Sequence, residues 1–174
     1  MKKTASALRW HWIGKGITMS ILGALLGLVG CGEARLDELK VGMATEAEVR
    51  ELLGKPETIW ESDQPDDGVV RTLEYPRGPE GLNTYMFDFD VDGRLLAKRQ
   101  VLTLAQFGKV VVGMSRDDVR KLLGKPRKME NFPLKQEEVW DWKYSEGYQN
   151  AFFNVHFNPN GKVVRTSRSE PLVN

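Results

Sequence analysis

The chain has 174 residues, 41% hydrophobic and 28% charged, with 25 basic against 24 acidic side chains, one cysteine and two histidines. That balance excludes a strongly basic nucleic-acid binder, and a single thiol excludes an internal disulfide. The length suffices for a sizeable hydrophobic core, which either half alone would build only marginally.

The first thirty residues carry Lys2, Lys3, Arg9 and Lys15 and no acids, then an apolar run from Ile17 to Gly30. That run is too short and too interrupted by glycine to span a bilayer comfortably, so residues 1–30 are expected to be a secretory signal peptide. The run ends Leu28-Val29-Gly30-Cys31. This resembles the bacterial lipobox, which implies a fatty-acylated Cys31 (diacylglyceryl and palmitate-type chains) as the first residue of the mature protein and as its lipid anchor. The other reading is an uncleaved anchor helix with an incidental cysteine. Gly32 is not the aspartate that retains lipoproteins at the inner membrane in enteric-type sorting, so an outer-membrane address facing the periplasm is expected. Without its four leader cations the chain carries a net charge of about −3.

The next elements come twice. Thr45-x-x-Glu48-Val49-Arg50-x-Leu52-Leu53-Gly54-Lys55-Pro56 returns as Ser115-x-x-Asp118-Val119-Arg120-x-Leu122-Leu123-Gly124-Lys125-Pro126, every position offset by 70. Thr45 and Ser115 have the character of N-caps, and the acid three residues on can reach back to complete a capping box. Val49, Leu52 and Leu53, like Val119, Leu122 and Leu123, fall at i, i+3 and i+4, which predicts one apolar stripe facing a sheet. Gly54 and Gly124 should stop the helices and Pro56 and Pro126 forbid their resumption. Leu36 and Leu39 before Gly42-Met43, and Phe107 and Val110 before Gly113-Met114, suggest another short helix ahead of each. Met114 and Val119 stand at the positions of a hydrophobic staple.

Downstream the period becomes two. Tyr85, Phe87 and Phe89 share one face, and Asp92-Gly93 turns the chain into 94–101; Phe153, Val155 and Phe157, then Asn160-Gly161 and 162–166, repeat the hairpin with an offset of 68. Earlier strands are predicted at 69–75 and 138–144, with polar loops at 62–68, 76–81 and 145–150. The expected fold class is α+β: two tandem repeats, residues 31–100 and 101–174, each of short helices packed on an antiparallel meander of about three strands, the two packing on each other.

Four features together resemble the SmpA/OmlA or BamE-like lipoprotein family: the lipobox, the Gly-Met/cap/Val-x-x-Leu-Leu-Gly-x-Pro helix, the aromatic strand Trp140-x-Trp142-x-Tyr144, and the Phe-Asp-x-Asp-Gly hairpin. The resemblance implies a helix-plus-sheet domain on a lipid anchor that acts as an accessory of outer-membrane β-barrel assembly. A BamE protein has one such domain and this chain has two, which resembles instead the β-lactamase inhibitor protein architecture, where two units form one concave sheet that binds an enzyme. The expected function is therefore a non-catalytic, outer-membrane-anchored accessory of barrel assembly, with an inhibitor or binding module for a periplasmic enzyme as the alternative.

Some chemistry is suggested and then withdrawn by its own pattern. Asp88-x-Asp90-x-Asp92-Gly93 copies the start of a calcium loop, but the position requiring a bidentate glutamate is Arg99, and the flanks have strand period. Gly54-Lys55 and Gly124-Lys125 lack the earlier glycine and the Ser/Thr of a phosphate loop. His156 is the only histidine beyond the leader and is read as a solvated strand residue matching Asp88. No catalytic residue, cofactor, metal, nucleic acid or small-molecule substrate is expected; the partners are a membrane, through Cys31, and a protein. Trp60, Trp140, Trp142 and Tyr144 are read as core for the alternating members, with a recognition surface as the other use. The polar loops are the contact candidates.

Overall fold

Two capping boxes start the two main helices. The Thr45 hydroxyl accepts the Glu48 N–H at 3.3 Å while Glu48 Oε2 accepts the Thr45 N–H at 2.7 Å; Ser115 and Asp118 repeat the exchange at 3.1 and 2.9 Å. Between cap and glycine run α1 (Glu46–Leu53) and α3 (Arg116–Leu123), each of eight residues. Gly54 and Gly124 take φ of 80° and 77°, a region that a side chain disfavours. Val49, Leu53, Val119 and Leu123 are buried, with Leu52 and Leu122 partly so, as the stripe requires. The expected preceding helices are a 3₁₀ turn, Glu33–Glu38, and the single-turn α2 (Leu104–Phe107) capped by Thr103. Met114 packs on the cluster that holds Val119, the contact a staple makes.

The computed structural model describes residues 33–62 and 66–169. These described residues belong to one compact unit. The leader and Cys31 lie outside the described residues.

Each half builds a four-stranded antiparallel sheet in simple sequential order. The first contains β1 (Thr58–Glu61), β2 (Arg71–Arg77), β3 (Asn83–Phe89) and β4 (Leu95–Gln100). The second contains β5 (Lys128–Phe132), β6 (Glu137–Glu146), β7 (Gln149–Phe157) and β8 (Val163–Ser169). The expectation of about three strands per half is corrected to four. The strands it omits, β1 and β5, are edge strands of four and five residues, and every residue of β5 is exposed, so no hydrophobic alternation marks it. The loops predicted at 76–81 and 145–150 are shorter than expected, because β2 runs to Arg77 and β6 and β7 extend to Glu146 and from Gln149.

The hairpin turns stand as expected, with Gly93 and Gly161 at φ of 73° and 71°. Both sheets have the same register. Tyr75 pairs Tyr85 and Leu73 pairs Phe87; Trp142 pairs Phe153 and Trp140 pairs Val155. Those inward faces, with α1 or α3, form the cores. Trp140, Trp142 and Tyr144 are buried, so the core use of the alternating aromatics holds. Phe107 of α2 stacks on Phe153 at 4.2 Å and meets Tyr144 edge-on at 4.9 Å.

The sheets share no strand pairing, so the single continuous sheet suggested by the two-unit resemblance is not formed through backbone hydrogen bonds. The chain from Val101 to Arg127 intervenes and carries α3 between them: Val119 and Leu123 face the second sheet, while Met86, on the opposite face of the first, joins their cluster. The expected packing of one half on the other is thus present.

Candidate functional site

The contact between the halves centres on Glu74 of β2. Its neighbours Leu73 and Tyr75 point to the first core, so period two turns Glu74 the other way, toward α3. There it has no solvent exposure. Arg120 Nη1 donates to Oε2 at 2.6 Å and the Lys125 backbone N–H donates to Oε1 at 2.7 Å, so both carboxylate oxygens are satisfied from the other repeat. Arg120 also reaches Thr58 at 3.2 Å and lies over the Trp60 ring at 5.5 Å. Trp60 is thus a joint residue, half-buried under a guanidinium. A methyl group on Gly124 would stand 2.8 Å from Thr84 Cγ2 and 3.0 Å from Glu74 Oε1, so this glycine permits close approach as well as stopping a helix. Around the rim, Lys125 Nζ meets Glu57 at 2.6 Å, while Arg127 and Lys143 reach Glu80 at 3.4 and 2.7 Å. The 76–81 loop is thereby tied to the second repeat.

One charge reversal between the copies makes this joint possible. In the first, Glu46 at the start of α1 accepts from Arg71 on β2 at 2.7 Å and from Arg50 one turn along at 2.8 Å. Burial alone would raise the Glu46 carboxyl, but the two guanidiniums hold it below its ordinary value. In the second copy the pair is inverted: Arg116 donates to Glu138 at 2.7 Å. With Arg116 in place of an acid four residues before it, Arg120 crosses to Glu74, whereas its counterpart Arg50 is held on its own helix by Glu46.

The outer face of the second sheet carries a polar network that sequence reasoning misplaced. His156 is buried, not solvated. Its Nδ1 lies 3.2 Å from Glu137 Oε2 on β6, and its Nε2 lies 3.1 Å from Ser167 Oγ on β8. This has the outline of a nucleophile, base and acid. Arg165, however, donates toward the same Nε2 at 3.0 Å and toward Glu137 at 2.9 Å, filling the lone pair a base would need. Burial and then Arg165 hold the imidazole below its ordinary value, against the opposing pull of Glu137. The group ties three strands together. Its signal in the sequence was only strand spacing, since Glu137, His156, Arg165 and Ser167 meet through pairing rather than proximity along the chain. The counterpart Asp88 is also buried, held by Thr72 at 2.6 Å and Arg99 at 2.9 Å.

The calcium-like triplet is divided among separate tasks. Asp88 is engaged as described, and Asp90 Oδ1 accepts the backbone N–H groups of Asp92 and Arg94 at 2.9 and 2.8 Å, which stabilises the hairpin turn. Of the contact candidates, the 145–150 turn carries Tyr148 wholly exposed at its tip; Leu134, outside the predicted loops, is equally exposed after β5.

No family profile matches the chain, and no curated protein matches it. Similarity in part is found to solved structures, among them the following two. A DUF4309 family protein (YjgB) from Bacillus subtilis is 18% identical over 76% of this chain and 82% of its own, with a TM-score of 0.27. A "putative beta-lactamase inhibitor protein" from Streptococcus mutans is 12% identical over 79% of this chain and 94% of its own, with a TM-score of 0.31. At these TM-scores neither likeness bears on what this chain binds.

Proposed function

We propose that the chain is a non-catalytic, lipid-anchored module that holds a protein partner in the periplasm. The observation that carries this is the joint: Glu74 of the first repeat is satisfied wholly by Arg120 and the Lys125 N–H of the second. Loops from both halves are thereby fixed relative to one another, and a preordered surface loses less entropy when it binds. Tyr148, a rigid aromatic at the tip of the longest hairpin, is suited to anchoring such a contact. Acylated Cys31 would restrict the module to a membrane surface, at the outer membrane by the Gly32 argument.

Within that reading, a soluble periplasmic enzyme as the partner, with inhibition as the result, suits the two-repeat body. The barrel-assembly role rests on a different observation, the Gly-Met/cap/Leu-Leu-Gly-x-Pro helix and Phe-Asp-x-Asp-Gly hairpin in each half. A photo-crosslinking residue at position 148, used in cells, separates the two. An inhibitor captures one soluble enzyme, and purified protein suppresses its activity at stoichiometric amounts. An assembly accessory captures barrel-assembly subunits, and its deletion lowers barrel proteins and admits bulky antibiotics. If position 148 captures nothing specific and deletion changes neither property, the binding-module reading is lost.

A further inference from the structure

The two Gly-Lys-Pro helix ends have nearly the same backbone and opposite surroundings. Gly54 has φ 80° and ψ −153°, Gly124 φ 77° and ψ −165°. At the second, Lys125 N–H and Arg120 grip the Glu74 carboxylate and Gly124 is buried. At the first, Gly54 and Lys55 are exposed, a methyl on Gly54 would meet nothing within 4 Å, and Lys55 N–H has no hydrogen bond among the described residues.

Beside that open end lies a cleft of about 420 Å³ lined by Lys55, Pro56, Glu57, Tyr75, Pro76 and Arg77. Its one carboxylate, Glu57, is turned to Lys125 at 2.6 Å. Arg77 donates to the Leu53 carbonyl and lies over the Tyr75 ring, and among the described residues no carboxylate pairs with it or with Lys55. The cleft is therefore positive, and the Lys55 that lines it has a backbone N–H without a partner among the described residues. Arg50 cannot supply the charge that Arg120 supplies in the other copy, because Glu46 holds it. Lys55 and Arg77 stand in its place.

We propose that this helix end is a docking site for a glutamate or aspartate side chain projecting from a β-surface of a protein partner. The internal copy shows the geometry: a carboxylate on a sheet face, set against the N–H after the glycine, with a cation beside it. Charge-assisted hydrogen bonds of that kind are the stronger class. The proposal rests on the protein-binding reading and gives that reading a partner chemistry.

The test is a titration of the isotope-labelled full chain, held in detergent, with the acetylated and amidated peptide Thr-Val-Glu-Val-Thr, following backbone amide resonances. The Lys55 amide is expected to move saturably while the Lys125 amide stays in place, and the glutamine version of the peptide should move neither. Lys55→Glu should weaken the response about tenfold or more, and Lys40→Glu, at another exposed site, should leave it intact. No saturable movement, an equal response to the glutamine peptide, or an undiminished response in Lys55→Glu overturns the site. So does an equal movement with inorganic phosphate, which would mark a general anion or lipid-headgroup patch. Because the peptide is defined, these results leave the crosslinking test at position 148 to decide the wider reading on its own.

Discussion

Glu74 has no contact with solvent, and what compensates its charge comes from the other repeat. Removing one partner of a buried pair leaves the other desolvated and unpaired, so Arg120→Ala should destabilise the chain by about 3–5 kcal/mol. Glu74→Met with Arg120→Met should cost much less, because no charge remains buried; urea midpoints of the three proteins check this. The two glycines separate strain from crowding. Alanine at either meets an unfavourable φ, but at Gly124 its methyl also strikes Thr84, while at Gly54 it enters open space. Gly124→Ala should therefore lose clearly more stability than Gly54→Ala in the same assay. His156 sets a pH dependence. Its folded pKa is depressed, so above the unfolded value of about 6.5 its contribution is fully present. As pH falls from there toward the lower folded value, the unfolded chain takes up a proton first and stability declines. Glu137, held low by Arg165, extends the loss below the ordinary carboxylate range. Stability at pH 5.5 should be lower than at pH 7.5 in the wild type, with a smaller difference in His156→Asn. Of these roles only the helix-stopping φ of the two glycines was legible in the sequence: the burial of Glu74 depends on which element lies across the sheet.

At the level of elements the sequence was informative wherever chemistry is local. Capping boxes, stripes, glycine stops and Asx-Gly turns all lie within a few residues, and all are present. β5 was not legible, because an edge strand exposed along its length has no pattern to distinguish it from a loop. Leu53→Ala and Leu123→Ala each remove a buried stripe residue and should cost about 2–5 kcal/mol in urea unfolding. The inverted ion pair is a further element-level test. Glu46→Arg or Arg71→Glu alone sets like charges between α1 and β2, and the double exchange recreates the arrangement seen at Arg116 and Glu138. Arg71 is partly exposed, so each single change should cost only about 1 kcal/mol, mostly recovered in the double variant. A double-mutant cycle with no coupling would show that the pair does not join helix to strand.

For the whole molecule, the duplication predicted two packed halves but not how they pack. The sequence repeats suggest equivalence, whereas the joint is made by their differences: Arg116 where the first copy has Glu46, Glu74 where the second has Asp141, Thr84 where it has Phe152. In the second sheet Asp141 is closed by Arg127, which donates at 2.6 and 2.8 Å and lies over Phe152 at 4.8 Å, so the outer face of that sheet is finished differently from the face that received α3. Such differences leave an open helix terminus in the first half and a closed sheet face in the second. Joined through Glu74, the halves should behave as one body. Native-state hydrogen exchange of the full chain, comparing the slowest amides of β3 with those of β7 in the wild type and in Arg120→Ala, measures this directly. One body predicts a single opening free energy for both strands, lowered equally by the substitution. Two different values in the wild type, with Arg120→Ala lowering only one of them, would contradict it.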